Sequence, residues 1–234
     1  MLRAVHVRAT WGRHCNWIVF LTSKSDPLLH EVIITPSGDE NYDRLWWKVT
    51  HGFKMVHSKY LDMADFFVKA DDDTYFVLEN LKHFIKTKGL MGLKDPLYMG
   101  LRLFPLPNYE SLKKELPEGF YSGGNGYVLN KAALDLLVRK GLGPSGDCHQ
   151  LKEHHGEDVA MGHCMTSLGE AFAKRGKCKE SYEMLSDGIL LRYTNMRGVC
   201  VHRCKICGYR RSRWTTPFHP LPSSRVSPLT SPSR

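Results

Sequence analysis

The fold is decided by a ten-residue stretch that reads Phe66-Phe67-Val68-Lys69-Ala70-Asp71-Asp72-Asp73-Thr74-Tyr75. Its apolar beginning predicts a β-strand, and three consecutive carboxylates follow at the end of that strand. Because side chains alternate along an extended chain, Asp71 and Asp73 should share one face and Asp72 should point away. Lys69 lies two residues before Asp71, so we expect it to share the face of that carboxylate and to offset its charge.

Two carboxylates on one side of a strand suit a hard divalent cation, Mg²⁺ or Mn²⁺, that also carries phosphate oxygens. A solvated acidic turn or a helix N-cap explains the same residues, because aspartate is favoured at both positions. The spacing of the three acids does not decide between these interpretations.

Outside this stretch, predicted strands and helices alternate along the chain. In the helix at 42–60, apolar residues recur at steps of three and four, which indicates one buried face. The alternation predicts an α/β sheet covered on both faces, with ligands at the carboxyl ends of its strands, where the acids lie. The other predicted elements are strands at 17–21, 31–34, 66–70 and 97–100, and helices at 77–87, at 131–139 and after 157.

The net charge of +9 is located in the C-terminal tail. Residues 188–234 hold nine of the 33 lysines and arginines and no acid, so residues 1–187 are neutral. We therefore expect no nucleic-acid partner for the main domain. Residues 1–175 are predicted to form a partial catalytic domain. Residues 176–234 are predicted to be a divergent basic tail, rich in cysteine and then in proline and serine, and largely disordered at its end.

Seven cysteines are many for a cytosolic protein of 234 residues, and they indicate an oxidising compartment. No apolar run is long enough to cross a bilayer, and the first residues do not form a secretory signal. We therefore expect that an N-terminal targeting segment is missing from this chain. Three of the cysteines, in Cys200-Val-His202-Arg-Cys204-Lys-Ile-Cys207, could alternatively belong to a zinc knuckle on a nucleic-acid-binding tail.

Three further motifs each allow a functional and a structural interpretation. The segment Gly123-Gly124-Asn125-Gly126 lets backbone approach a ligand closely, or it forms a tight bend between a strand and a helix. The pair Glu157-Asp158 either supplies a general base or merely complements the dipole of the helix that it opens. Lys48, on the predicted helix at 42–60, either contacts a diphosphate or lies along the surface with its ammonium in water.

Five segments in order resemble one family, the core 1 β1,3-galactosyltransferases, whose wider relatives include fringe. The similarity covers roughly residues 4–170, and the spacing of the segments makes it specific. These segments are His6-Val7-Arg8-Ala9-Thr10-Trp11 with Cys15, Leu45-Trp46-Trp47-Lys48-Val49-Thr50, Ala64 through Tyr75, Ser122-Gly123-Gly124-Asn125-Gly126-Tyr127-Val128-Leu129, and Glu157-Asp158-Val159-Ala160-Met161-Gly162-His163-Cys164.

The resemblance implies a GT-A glycosyltransferase fold, a Rossmann-like mixed sheet that would be incomplete at its N-terminus here. It implies UDP-galactose as donor, Mn²⁺ as cofactor, and inverting transfer of galactose to the 3-hydroxyl of O-linked N-acetylgalactosamine on glycoproteins. Members of the family are type II Golgi membrane proteins, and a homodimer is left open.

The resemblance also assigns roles to individual residues. Asp71 and Asp73 should hold Mn²⁺, and Asp71 or Asp72 should also touch the ribose. Asp158 is the expected base with Glu157 as its neighbour. The remaining expected contacts are Lys48 to the UDP, Gly123 and Gly124 to the sugar, and Glu40-Asn41-Tyr42 to the nucleotide, although relatives carry Arg where Tyr42 stands.

Two departures from the family pattern lower the expected activity. A first nucleotide-binding strand should precede residue 4, and a C-terminal histidine that completes the metal site is not found, although Pro217-Phe218-His219-Pro220 resembles an earlier element. We expect little or no transfer from this chain by itself. The alternatives are an inactive relative that acts as a binding or chaperone-like partner, and a different β1,3-glycosyltransferase of the same superfamily.

Overall fold

The computed structural model describes residues 2–29, 31–35, 44–146, 148, 156–169 and 190–192. Within these residues the α-helices are α1 (Leu2–Ala9), α2 (Leu45–Tyr60), α3 (Leu78–Thr87), α4 (Glu110–Glu115), α5 (Lys131–Leu136) and α6 (Glu157–Ser167). The strands are β1 (Phe20–Thr22), β2 (Val32–Ile34), β3 (Phe66–Lys69), β4 (Thr74–Phe76), β5 (Tyr98–Gly100), β6 (Arg102–Leu103), β7 (Phe120–Tyr121), β8 (Tyr127–Asn130) and β9 (Leu190–Arg192). A π-helical turn, Leu137–Gly141, continues α5.

The central sheet has the strand order β3-β8-β5, and β8 runs antiparallel to both neighbours. β1 and β2 form a separate parallel pair, in which Phe20 lies opposite Val32. β4 pairs with β9 and β6 pairs with β7, both antiparallel. The protein is therefore a mixed α/β structure, as the alternation of predicted elements indicated.

Helices cover both faces of β8, whose residues Tyr127, Val128 and Leu129 are fully buried. Tyr127 and Leu129 point into one core, and Val128 points into the other, as alternation along a central strand requires. The first, the α2-side core, includes Trp46, Val49, Phe53, Leu134, Leu137 and Met161. The second, the α3-side core, includes Phe76, Leu81, Phe84, Ile85 and Met99.

Helix α2 confirms the helix that was predicted from apolar periodicity. Trp46, Val49 and Phe53 are buried on one face, and the Trp46 indole donates a hydrogen bond to the carbonyl of Cys148 at 3.0 Å. The observed helix begins at Leu45, whereas the prediction began at residue 42, which lies outside the described residues.

The first strand was predicted at 17–21, but the structure places it at Phe20–Thr22. Trp17 is 52% exposed and does not pack as a core strand residue would. Pairing with β2 sets the position of the strand, because Phe20 donates its N–H to the Glu31 carbonyl and the Thr22 carbonyl accepts from Thr35. Local hydrophobicity alone misplaced the strand by a few residues.

A cavity of about 1560 Å³ lies beside β3, and residues of both β1 and β3 line it. Among the described residues, each of these strands pairs on one edge only. Both strands contribute to the same two layers. Phe20 and Val68 pack against the α3-side core, Phe67 packs against the α2-side core, and Leu21 lies against Gly52 of α2.

A disulfide joins Cys148 to Cys164 of α6, with 5.0 Å between their Cα atoms. This bond agrees with the oxidising compartment predicted from the cysteine count. Cys15 is a free thiol. The other cysteines and the predicted zinc knuckle lie outside the described residues, as does most of the predicted tail. The described helices include none that is long and apolar enough to span a membrane.

Candidate active site

The three acids lie in a turn and not on a strand. β3 ends at Lys69, and the Asp71 carbonyl accepts a hydrogen bond from the N–H of Thr74 at 3.2 Å, which closes the turn before β4 begins. The predicted alternation of the three carboxylates is therefore wrong, because side chains alternate only while the backbone stays extended. We call residues 71–73 the acidic turn.

The carboxylates of the acidic turn divide between two cations. Asp71 accepts a hydrogen bond from the Lys69 ammonium, with 2.7 Å between Oδ1 and Nζ. Asp72 and Asp73 both face the Arg3 guanidinium of α1 at 3.6 Å, and all three of these side chains are about half exposed or more. Asp71 is thus the one of the three whose carboxylate is directed toward the interior.

The expectation that Lys69 offsets the acidic charge is confirmed by its contact with Asp71, and Lys69 also contacts two other segments of the chain. Its side chain is only 9% exposed, and its Nζ also lies 3.1 Å from Glu157 Oε2 and 3.2 Å from the Gly123 carbonyl. Burial by itself would lower the pKa of Lys69, but the charges of Glu157 and Asp71 outweigh it and hold the pKa above the usual value. The lysine is therefore a buried, charged donor that is shared by three segments of the chain.

The glycine motif forms a turn between β7 and β8, in which Gly126 donates its N–H to the Gly123 carbonyl at 3.0 Å. The predicted bend between a strand and a helix is corrected to a bend between two strands. We call residues 122–126 the glycine loop. Gly126 has φ +80°, which only glycine adopts without strain. The Thr74 hydroxyl donates to the Gly124 carbonyl at 2.7 Å, so the loop is fastened to the acidic turn.

Gly123 is required for a different reason, which is space. A Cβ at this position would lie 2.6 Å from Glu157 Oε2 and 3.3 Å from Lys69 Nζ. The absence of a side chain lets the loop backbone reach the carboxylate and the ammonium directly. Its N–H donates to Asp158 Oδ2 at 3.0 Å.

The two acids that open α6 have different environments. Glu157 is buried and accepts hydrogen bonds from the Tyr127 hydroxyl at 2.5 Å and from Lys69. Burial raises the pKa of Glu157, although Lys69 and Tyr127 act in the opposite direction. Asp158 is half-buried, and the partners described for its carboxylate are backbone N–H groups of Gly123 and Val159. Asp158 is thus the better placed of the two to meet a ligand.

The structure brings most of the predicted site residues together. The acidic turn and the half-buried Lys48 of α2 line the same cavity, and Lys69 joins Asp71 to the glycine loop and α6. The predicted nucleotide contacts Glu40, Asn41 and Tyr42 lie outside the described residues, so their placement stays a prediction.

The acidic turn was also tested as a metal site. Aspartate oxygens are suitable ligands for Mn²⁺. In the part of the chain that the structure describes, however, no three histidine, cysteine, aspartate or glutamate side chains converge as a metal-binding group. By themselves, the described residues of the acidic turn therefore do not form a metal-binding group.

A comparison with protein families gives the same assignment as the motifs. The model of the family described as Galactosyltransferase matches residues 20–175, which include the acidic turn, the glycine loop and Asp158. The chain belongs to the galactosyltransferase family.

Curated relatives of this galactosyltransferase-family chain are considerably longer than the chain itself. It is 34% identical over 167 residues to glycoprotein-N-acetylgalactosamine 3-beta-galactosyltransferase 1 of Xenopus laevis, which covers 71% of this chain and 41% of that protein. It is 30% identical over 192 residues to human chondroitin sulfate synthase 3, which covers 78% of this chain and 20% of that protein.

In this galactosyltransferase-family chain, sequence analysis missed several residues of the candidate site. Tyr127, Thr74 and Arg3 act through partners that are distant in sequence, and no local pattern marks such partners. A partial signal existed for Tyr127, since it follows the glycine loop directly and would be expected near whatever the loop contacts.

Proposed function

We propose that this chain carries the donor site of a β1,3-galactosyltransferase, with UDP-galactose as donor. In this proposal galactose passes to the 3-hydroxyl of O-linked N-acetylgalactosamine on glycoproteins, with inversion at the anomeric carbon. The observation that carries the proposal is the position of Gly123. Its carbonyl shares Lys69 with Asp71, and its N–H is bonded to Asp158, so the expected diphosphate end and the expected base meet at one residue.

Each site residue has a role in this proposal. Asp71 and Asp73 would hold Mn²⁺ beside the diphosphate, and the bound ion would neutralise charge on the departing UDP. Lys48 contacts the diphosphate from α2, and Asp71 or Asp72 contacts the ribose. Gly123 and Gly124 border the sugar with their backbone.

Asp158 acts as the general base in the proposed reaction. It accepts the proton of the acceptor hydroxyl while that oxygen bonds to the anomeric carbon and the bond from this carbon to the UDP oxygen breaks. One base is sufficient for such a single displacement, whereas a retaining mechanism requires a second carboxylate as nucleophile. Glu157 is not assigned this role because it is buried and engaged with the Lys69 ammonium and the Tyr127 hydroxyl, whereas Asp158 is half-buried and bonded only to backbone N–H groups among its described partners.

The acceptor and the location of the protein are proposed from similarity. The Xenopus relative is named for galactose transfer to glycoprotein N-acetylgalactosamine, and this supports a glycoprotein acceptor. The location in a Golgi membrane is proposed from the family resemblance. The human relative is named for chondroitin sulfate synthesis, and this supports, more generally, a role in glycan synthesis. A homodimer is a further possibility under the same similarity.

Calorimetry with UDP, with and without Mn²⁺, tests the donor site, and galactose transfer to an N-acetylgalactosamine glycopeptide tests the reaction. We expect Mn²⁺-dependent UDP binding that Asp73→Asn removes. We expect Asp158→Asn to keep UDP binding and to lower any transfer by about 10²- to 10⁴-fold. Asp62→Asn, at an exposed acid outside the acidic turn, is the matched control and should change neither quantity.

A non-catalytic relative is the second candidate, and one observation favours it. Lys69 and Arg3 already neutralise the acidic turn, and the described residues offer no complete metal-ligand group. This candidate predicts that UDP does not bind, with or without Mn²⁺. Absence of UDP binding to a folded chain would therefore replace the first proposal with this one.

A further inference from the structure

The Lys69 ammonium is the contact point of three segments that are far apart in sequence. It is bonded to Asp71 of the acidic turn, to the Gly123 carbonyl of the glycine loop, and to Glu157 at the start of α6. The Tyr127 hydroxyl completes the group by donating to the other oxygen of Glu157. The ammonium also lies over the ring of Tyr127, 5.7 Å from its centroid, so it is surrounded by two carboxylates, a carbonyl and an aromatic face.

The strength of this group follows from its burial. Lys69 and Glu157 are 9% and 2% exposed at their side chains, so water screens their interaction weakly. Removal of one partner from a buried ion pair leaves an uncompensated charge, which is much more costly than loss of an exposed pair. The group therefore holds its geometry more firmly than the Arg3 contacts at 3.6 Å hold the exposed acids.

The contacts also fix which atoms remain for a ligand. Lys69 holds Oδ1 of Asp71, and no protein partner is described for the other carboxylate oxygen of that residue. The Gly123 N–H is held by Asp158 while its carbonyl is held by Lys69. A change in the position of the ammonium would therefore move the acidic turn and the glycine loop together.

We propose that Lys69 is a positioning residue that couples the acidic turn to the glycine loop, so that the diphosphate and the sugar of a nucleotide-sugar donor are placed by one buried ammonium. This inference rests on the proposed function and adds a residue to it. Lys69 does not touch the donor; it orients Asp71 and Gly123, which do.

The coupling can be measured without any ligand, by hydrogen exchange of the two turn amides that its contacts hold. These are the N–H of Thr74, which closes the acidic turn by donating to the Asp71 carbonyl, and the N–H of Gly126 in the glycine loop. In Lys69→Met both amides should exchange at least about tenfold faster than in the wild type, whereas in Lys69→Arg, which keeps the charge, most of the protection should return. Unchanged exchange at either amide would contradict the coupling.

The consequence for the donor is measured by Mn²⁺-dependent UDP binding in the same variants. Lys69→Met should weaken this binding about ten- to hundredfold, because one charge-assisted contact that orients Asp71 is lost, and Lys69→Arg should recover part of it. Lys131→Met, which removes an exposed lysine paired with Asp62 at 2.6 Å, is the matched control and should change neither measurement. UDP affinity in Lys69→Met equal to that of the wild type would overturn the positioning role.

The experiments distinguish failure of the proposed donor site from failure of the proposed coupling by Lys69. If wild-type protein binds no UDP, the proposed donor site fails, and the exchange of the Thr74 and Gly126 amides still decides whether Lys69 couples the two segments. If Lys69→Met does not fold, Glu157→Gln gives the same test from the other side of the ion pair. That variant leaves Lys69 a single carboxylate partner and should accelerate exchange in the glycine loop more than in the acidic turn.

Discussion

The two edges of β3 lie in opposite environments. Along one edge β3 pairs with β8, whose residues Tyr127, Val128 and Leu129 are fully buried between two cores. Along the other edge no strand pairs with β3 among the described residues, and a cavity of about 1560 Å³ adjoins β3 and is also lined by β1. The strand that leads to the acidic turn is therefore held from one side, and its stability and the site geometry depend on β8, α6 and the contacts of Lys69.

The largest expected effect comes from a substitution that disrupts packing along the edge of β3 that pairs with β8. Leu129→Ala should lower the free energy of unfolding by about 2–5 kcal/mol, because it opens a void in a fully buried position. Leu21→Ala, on the other strand that lines the cavity, should cost about 1 kcal/mol, since its half-buried side chain already borders empty space. Denaturant unfolding of the two variants measures the difference, and equal losses would contradict the comparison.

The second prediction concerns the disulfide, whose two cysteines lie in the α2-side core together with Leu129. The bond between Cys148 and Cys164 closes a loop of 16 residues onto α6. Its replacement in a Cys148→Ser, Cys164→Ser double variant should cost about 3 kcal/mol, chiefly because the unfolded chain gains freedom. Thermal unfolding with and without reductant measures this effect. Cys15→Ser, at the free thiol beside the cavity, is the control: because it keeps the bond between Cys148 and Cys164, it should lose stability on reduction as the wild type does.

A third prediction concerns the contact of the glycine loop with α6. Gly123→Ala places a Cβ 2.6 Å from Glu157 Oε2, so either the loop or the carboxylate must shift. We expect a loss of about 1–3 kcal/mol of stability and at least about a tenfold loss of Mn²⁺-dependent UDP affinity. Chemical unfolding and calorimetry measure the two quantities. Wild-type values for both would mean that the close approach of loop and helix does not shape the site.

The smallest expected effect is a pH-dependent contribution to stability from Asp135, a partly exposed residue of α5. Burial alone would raise the pKa of Asp135, but hydrogen bonds from His57 and Arg139 outweigh it and hold the pKa below the usual 3.8. The folded state then binds fewer protons than the unfolded state, so the contribution is present above pH 3.8 and is lost as pH falls through the folded pKa.

Asp135→Asn should remove this contribution, which is less than about 1 kcal/mol because the carboxylate is partly exposed. Unfolding free energies of the variant and the wild type should therefore converge as the pH is lowered below 3.8. A gap between the two proteins that widens in acid would have the wrong sign for this mechanism.

Local patterns predicted the elements well where one residue type repeats, as in α2, whose apolar spacing gave its buried face and its C-terminal end. Local patterns failed where the bounds of an element depend on contacts with distant parts of the chain. The first strand was misplaced because its position depends on β2, and the acids were predicted to alternate because the end of β3 at Lys69 is not marked in the sequence.

The candidate site was predictable to a similar extent. Lys69 and Asp71 are two residues apart, so their ion pair could be anticipated from strand geometry. Tyr127 and Glu157 are thirty residues apart and meet only because β8 and α6 pack on one core. Tertiary packing thus determined that Glu157 is buried against Tyr127 and Lys69, and that Asp158 is half-buried against the glycine loop.

The unequal edges of β3 have a consequence for the lability of individual backbone hydrogens. β8 lies between two strands, so its amides are bonded on both sides, and only large openings should release them. In β1 the peptide groups of Phe20 and Thr22 face β2, which leaves the N–H of Leu21 directed away from that strand. Deuterium should therefore enter at Leu21 well before it enters at Val128, and along β3 it should label alternate residues first.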